Sequence, residues 1–505
     1  MKIWLSLSLL LATVCPARAF VVGPPSSLDN LSAESDLVFK GVALDSSNLT
    51  DSQLNAQGFG AQQTRFRVVS VLKGPSVKEV AFRSYRKAEA TMFGWHPQFY
   101  QFQPNAPYIV WAKKGTDGLW RQTSQSYSFL EDEGAMRAGD TQPVGRSTNE
   151  VVWREWNLLL ASKNSADVIY ALSHIATFSG SGDAQFMTAQ SFKPQNSRRV
   201  ATPYLASPNP QIAQAAIKVL QVTGAQTSSP GLIALALSPA DPETRAQAVA
   251  VLKGVKTNPV RLALTQLLAT PQQPELVQAA ALNGLGDWND HQSRADLLRF
   301  ARSNSPRLRA STAKAIGELQ TESLLPALFQ LTHDADKSVN ETALSAFANS
   351  SGSQMRPYFE KLRRTPKVEP LFTVLLAQSS PEKYLPDLER IVTSNLEVPN
   401  ISPQSTVYMA WHALFDWLQK QPPSAWQKVQ TRRIVKAMES GPEHFWGSSE
   451  PEALYKLLRQ KNQEKEARKF RAIQEKTAGY DIAYYFRRAD EELARQKAQP
   501  HFTAQ

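Results

Sequence analysis

Five stretches of this 505-residue chain recur at a near-constant spacing, which limits the possible folds more than any other feature of the sequence. IAQAAIKVLQ (212–221), TRAQAVAVLK (244–253), VQAAALNGLG (277–286), LRASTAKAIG (308–317) and VNETALSAFA (339–348) align without gaps. The apolar residue near the end of each is Leu220, Leu252, Leu285, Ile316 and Phe347, at intervals of 32, 33, 31 and 31. Ile217, Val249, Leu282, Ala313 and Leu344 stand three positions earlier, on the same helical face. Pro210, Pro242 and Pro306 share one column at the helix starts, where proline costs no hydrogen bond. Partner helices fall between them: NPVRLALTQLLA (258–269), RADLLRFARS (294–303) and LLPALFQLTH (324–333). A helix pair of this length cannot bury its apolar face alone, so the pattern predicts a stack of pairs, an α-solenoid.

The stretches SPRLRASTAKAIGEL (305–319) and DPETRAQAVAVLKGV (241–255) resemble the second helix of a HEAT repeat. Asp241 and Arg245 match the Asp/Arg pair that ties neighbouring units together in that family, which implies a structural role for both. The corresponding pairs Asn209/Ala213, Ser305/Arg309 and Asp336/Asn340 depart from it, so the ladder is incomplete. The resemblance covers 200–350 and extends through 358–378 and 384–395, where the period blurs. Stacked second helices form an extended concave surface suited to a macromolecular partner. The polar column Arg245, Gln278, Arg309 and Asn340 is the candidate partner-binding set. Its competing role is to link one repeat to the next.

Ahead of the repeats, DLVFKGVAL (36–44), TRFRVVSVLKG (64–74), VKEVAFRSY (77–85), APYIVWAKK (106–114) and LWRQT (119–123) are short and rich in β-branched or aromatic residues. KKGTDGLW (113–120) reads as a hairpin turn. Five such strands predict a small barrel or sandwich. Their order is similar to the OB-type barrel of the tissue-inhibitor-of-metalloproteinases-like class of exported bacterial proteins. Members of that class often carry cysteines, which this region lacks, so an inhibitory function does not transfer. The segments VVWREWNLLLAS (151–162) and ADVIYALSHIATF (166–178) are helical by their i, i+3, i+4 spacing.

Residues 1–19 read as a secretory signal: Lys2, an apolar run over 3–14, and Ala17-Arg18-Ala19 before Phe20. The run is shorter than the roughly 20 residues a membrane-spanning helix needs, and no second apolar stretch approaches that length. The chain's one cysteine, Cys15, lies in this segment, so the mature protein is expected to lack disulfides, thiolate metal sites and thiol nucleophiles. That composition points to the bacterial periplasm or the extracellular space. Removal of Lys2 and Arg18 leaves 54 basic against 45 acidic side chains, a net +9. Such a surface favours an acidic protein or an anionic envelope polymer; nucleic acid fits the sign but not the compartment.

Residues 397–505 are helical and richer in aromatics. STVYMAWHALFDWLQK (405–420) places Val407, Trp411, Leu414, Phe415 and Leu418 on one face. YKLLRQKNQEKEARKFRAIQEK (455–476) reads as one long charged helix, either a solvated face or a basic docking surface. The segment is placed to cap the solenoid. Seven histidines form no metal-binding spacing, and there is no G-x-S-x-G elbow, Walker loop or dinucleotide fingerprint. His96, among aromatics in 93–102, and the acidic trio Glu131, Asp132 and Glu133 read as loop residues. The expected organisation is a signal peptide (1–19), a β-rich OB-like domain (20–150), HEAT-like repeats (151–396) and a helical C-terminal region (397–505). The expected function is a non-enzymatic exported scaffold without cofactor, metal or catalytic residues. The alternative is an envelope enzyme or enzyme-inhibitor module in the β domain, with the helices as its holder.

Overall fold

The structure, a computed structural model, describes residues 27–51, 60–86, 99–123, 134–145, 147–180, 191–286, 288, 291–350, 352–399, 401–402, 404–439, 449–477 and 482–498. The signal segment with Cys15, His96 and the trio Glu131, Asp132 and Glu133 lie outside them. The chain divides into two compact units, Met1–Ala281 and Leu282–Gln505.

In the first unit a short helix α1 (Leu28–Glu34) precedes six strands: β1 (Leu37–Leu49), β2 (Gly60–Lys73), β3 (Glu79–Arg86), β4 (Pro107–Lys114), β5 (Trp120–Gln122) and β6 (Ala135–Arg137). The first five close in the order β1-β2-β3-β5-β4-β1, a five-stranded barrel of OB type with β3 and β5 parallel. Strand β1 makes the closure: Val38 to Val42 pair with β2 on one side and β4 on the other. Register shifts at Val38/Phe39, Lys40/Gly41 and Ala43/Asp45 bend it enough to serve both neighbours. Gly41 sits at one such bend, where a Cβ would meet the Phe39 ring at 2.9 Å and the Arg67 carbonyl oxygen at 3.1 Å. The barrel core is aromatic. Phe66 meets Phe39 edge-on at 5.5 Å and Phe102 at 5.0 Å, with Phe82 and Tyr108 alongside. Three read strands and the hairpin turn stand where the sequence puts them; β1 runs five residues further through polar Asp45 to Asn48, and β2 starts four residues earlier, at Gly60.

Helices α2 (Thr148–Leu160) and α3 (Ser165–Ser179) join the barrel to the repeats. Lys40 of β1 is fully buried; its Nζ donates to Glu155 Oε1 of α2 at 2.8 Å, Asp140 Oδ1 at 2.6 Å and the Gln142 carbonyl at 3.0 Å. Glu155 Oε2 accepts from the Gly139 and Asp140 N–H groups, and Arg154 closes the network on Asp140. Burial alone would raise the Asp140 pKa, but hydrogen bonds from Arg154 and Lys40 hold it down at about 2. Helix pairs follow: α4 (Pro194–Ala201) with α5 (Pro210–Thr223), α6 (Ser229–Leu237) with α7 (Pro242–Leu252), and α8 (Asn258–Ala269) with α9 (Glu275–Leu285). Helix α5 packs on α3 and α7, and α6 packs on α8, so second helices stack on second helices and first on first.

The second unit continues the alternation: α10 (His291–Phe300) with α11 (Pro306–Leu319), α12 (Leu325–Leu331) with α13 (Lys337–Ala348), α14 (Arg356–Leu362) with α15 (Glu369–Ala377), and α16 (Leu385–Thr393) with α17 (Thr406–Lys420). Here α11, α13, α15 and α17 stack in succession. Second helices α5, α7, α9, α11, α13, α15 and α17 begin at steps of 32, 33, 31, 31, 32 and 37 residues. The repeat therefore runs on past 350. The last, longer step is the insertion before Thr406, and it blurs the period in the sequence. Helices α18 (Val429–Glu439), α19 (Ser449–Gln460), α20 (Glu464–Thr477) and α21 (Ile482–Ala498) complete the described chain. The stretch 455–476, read as one helix, is two. Asn462 turns left-handed at φ 60°, and the Gln463 N–H bonds back to the Leu458 carbonyl.

Leu220, Leu252, Leu285, Ile316 and Phe347 are all buried, none more than 1 % exposed. Among the described residues no helix is long and apolar enough to cross a membrane.

Candidate functional site

Two columns of the repeat carry its polar chemistry. The first stands immediately before the second helices. Asn209 accepts from the Gln211 N–H, Asp241 from Thr244, Ser305 from Leu308, and Asp336 from Ser338 and Val339. Each satisfies backbone donors that a helix start leaves orphaned, with proline or lysine following at the first helical position. Asp241 does this in place of pairing with Arg245, and its pKa is lowered chiefly by the hydrogen bond from Thr244. The residues that looked like departures from the family's Asp column are thus one functional set, all competent N-caps.

The second column, four residues on, holds Arg245, Arg309 and Asn340, which face the turns inside the helix pairs. Arg245 Nε donates to the Ala236 carbonyl at 2.9 Å and its Nη2 to Gln273 Oε1 at 2.7 Å, in the turn before the next second helix. Burial lowers its pKa. Arg309 grips Asp334, in the turn of the following pair, with two bonds of 2.7 and 2.8 Å, and holds the Ser303 carbonyl behind it at 2.8 Å. The Arg309 hydrogen bond pulls the Asp334 pKa below its ordinary 3.8. Asn340 donates to the Thr332 carbonyl, and Gln278 is half-buried on α9. Arg245 and Arg309 therefore bridge from one repeat to the next, and their acceptors lie 28 and 25 residues downstream. No spacing of four residues reveals them.

The open surface of the second helices lies further along. Between α11 and α13 runs a groove of about 600 Å³ lined by Lys314, Gly317, Glu318 and Gln320 on one side and Ser338, Glu341, Thr342, Ser345 and Asn349 on the other. The α13 positions recur at three and four residues, so one helical face supplies that wall. Its floor is a close approach: a Cβ on Gly317 would sit 2.6 Å from the Ala346 Cβ. At Gly286, 31 residues earlier, a Cβ would meet the Glu318 carboxylate at 2.5 Å and the Ala315 Cα at 3.3 Å, a looser approach of the two backbones. Small residues at the ends of second helices let successive helices close up, leaving longer polar side chains to rim the groove. Lys314 and Glu318 are exposed, and Glu341 lies 3.6 Å from Lys337. The rim carries both signs of charge. Among the described residues no group of His, Cys, Asp or Glu could hold a metal ion.

This geometry of stacked pairs, buried apolar column and inter-repeat ladder coincides with a family match: the model for HEAT repeats covers residues 261–348. Those residues are HEAT repeats. No curated protein sequence matches the chain. Solved structures that resemble it include the CpcE–CpcF complex of phycocyanin lyase from Nostoc sp. PCC7120, at 15% identity and a TM-score of 0.30, covering 50% of this chain and 96% of that one. Yeast importin-beta (Kap95p) is 15% identical with a TM-score of 0.45, covering 70% and 53%. Karyopherin Kap121p, bound to the extreme C-terminus of the protein phosphatase Cdc14p, is 12% identical with a TM-score of 0.39, covering 70% and 48%. The chain spans about half the length of the latter two.

Proposed function

We propose that this protein is an exported binding scaffold that engages a protein partner along the second helices of its HEAT repeats. The observation that carries this reading is the α11–α13 groove, whose floor is fixed by Gly317 and Ala346 and whose rim is polar and solvent-facing. Of the ladder groups, Arg309 ties α11 to the turn before α13, Asn340 ties α13 to the end of α12, and Arg245 ties α7 to the turn before α9, with Gln278 in the same column. A rim that alternates Lys314 with Glu318 and Glu341 favours a protein over a uniform polyanion, which would meet those carboxylates. The signal-like residues 1–19 support export, and the lone Cys15 fits a mature chain that needs no disulfide.

The test is capture of a partner on the immobilised mature chain from an envelope extract, repeated with Lys314→Glu plus Glu341→Lys. These changes, at an exposed lysine and a half-buried glutamate, should abolish most retention while leaving the thermal midpoint within a few degrees of the parent, about the shift of a sub-kcal/mol surface effect. A variant that retains the same partner equally well excludes the groove. Export is checked separately by N-terminal sequencing of the envelope fraction. Phe20 is the expected first residue, and a cytoplasmic chain beginning at Met1 overturns that part of the proposal.

A further inference from the structure

One rung of the polar ladder is an alanine, and a cavity stands beside it. Arg245, Arg309 and Asn340 occupy one position of their second helices: the backbone N–H of each bonds to the carbonyl of the N-cap residue four before it. On α5 that position is Ala213, whose N–H bonds to the Asn209 carbonyl. Arg245 joins the Ala236 carbonyl, in the turn of its own pair, to Gln273 in the turn of the next. Arg309 joins the Ser303 carbonyl to Asp334 in the same way. A methyl group can make neither bond.

Between the two turns that a longer side chain at 213 would join lies a cavity of about 610 Å³. Leu205, Ala213 and Leu235 form its buried floor, and exposed Pro208 and Pro239 stand at its rim, one in each turn. Asp241 is the one charged residue among the described residues that line it. Its place repeats the ladder's spacing: Asp241 follows Ala213 by 28 residues, as Gln273 follows Arg245. Asp241 Oδ1 accepts from the Thr244 N–H, whereas Oδ2 is buried without a hydrogen-bond partner, although buried polar atoms ordinarily have one. The hydrogen bond from Thr244 lowers the Asp241 pKa, so the carboxylate is charged at neutral pH. The chain as a whole carries 56 Lys and Arg against 45 Asp and Glu and repels cations, so a cation is held here only by the local acceptor. The volume lies within the roughly 300–1,000 Å³ of ligand pockets, enough for a long side chain and an apolar neighbour.

We infer that this cavity binds an arginine side chain of a protein partner, whose guanidinium completes the ladder at Asp241 from outside the chain. The aliphatic stem and an adjacent apolar residue rest on Leu205 and Leu235. Arginine suits the place better than lysine, because its planar fork is the more weakly hydrated cation and matches a carboxylate and turn carbonyls together. The inference does not rest on the α11–α13 groove. It is tested on the full mature chain by fluorescence anisotropy with a labelled peptide of sequence Ser-Gly-Leu-Arg-Leu-Gly-Ser. A second peptide carries citrulline in place of arginine, which keeps the shape and removes the charge. Saturable binding of the arginine peptide is expected, with the citrulline peptide about tenfold weaker or more. Asp241→Asn keeps a residue that caps α7 equally well but removes the charge. It should weaken the arginine peptide about tenfold, the loss of one charge-assisted hydrogen bond. Ala234→Trp, at an exposed position of α6 on the same cavity, fills the space and should weaken binding as much, which provides the test should Asp241→Asn melt early. No saturable binding of the arginine peptide, equal affinity for the citrulline peptide, or unchanged affinity in both variants overturns the inference.

Discussion

At the junction of the barrel and the first helices, charge is placed inside. Lys40, on a strand whose neighbours are all buried, has no exposed surface, and Glu155 of α2 is as deeply enclosed. In the repeats charge is kept to the edge. The interior column from Leu220 to Phe347 is apolar, and ions such as Arg309 and Asp334 meet at the turns, partly open to water. The difference follows from what each region must specify. A repeat meets a copy of itself, so an apolar face that is good for one interface serves all of them, and turn polar groups need only hold the register. The barrel and α2 have no such symmetry. A buried ion pair with backbone donors fixed on Glu155 accepts one docking geometry and penalises the rest, at a desolvation cost that an apolar contact would avoid.

The sharpest way to break this comparison is Lys40→Ala. It removes the buried cation of Glu155, which keeps its bond from the half-exposed Arg154, so the loss should lie toward the lower end of the roughly 3–5 kcal/mol that breaking a buried pair costs. Hydrogen exchange should show β1 and α2 losing protection while α11 and α13 keep theirs. The double variant Lys40→Met, Glu155→Leu should recover only part of the loss, because the Gly139 and Asp140 N–H groups also lose their acceptor. Full recovery would mean that the network adds nothing beyond packing.

Ile316→Ala tests the other half. Its side chain has no exposure and lies in the interior column, so a large-to-small change should cost about 2–5 kcal/mol. Here protection should fall in α11 and α13 and persist in the barrel. A loss below about 1 kcal/mol would show that the column does not hold the repeats together.

The two regions also differed in how much their residues revealed. The apolar column was legible because one period recurs over five copies, and the structure adds α15 and α17 to it. The five barrel strands were legible as alternating runs, but β6, three residues long, carries no pattern that could mark it. The polar end of β1 was hidden because Asp45 to Asn48 have little strand propensity and are paired only because β2 runs opposite. Nothing within the strand marks Lys40 as buried; that α2 covers it depends on Glu155, 115 positions away. The N-cap column was visible as Asn, Asp, Ser and Asp, yet its comparison with a family pair obscured the simpler capping role. Trp417, off the predicted apolar face of α17, is buried as well, because neighbouring helices cover more than one side.

The smallest effect expected is that of Arg309→Gln, and its pH dependence makes it diagnostic. The guanidinium bonds both Asp334 oxygens and two carbonyls, with 17% and 10% of the paired side chains exposed. Loss of these charge-assisted bonds at a partly wet edge should cost about 1–2 kcal/mol, less than either interior change. The folded-state pKa of Asp334 is depressed below 3.8, foremost by the Arg309 hydrogen bond. Its contribution to stability is therefore complete above the unfolded value and is lost as pH falls through the folded one. The parent and Arg309→Gln should differ most near neutral pH, and their unfolding free energies should converge as the pH drops below about 4. Urea titrations at pH 7 and pH 3 measure this. A gap that stays constant between the two would mean that Arg309 acts through the Ser303 and Asn304 carbonyls instead of the ion pair, holding the turn of its own pair by neutral acceptors as Arg245 holds the Ala236 carbonyl.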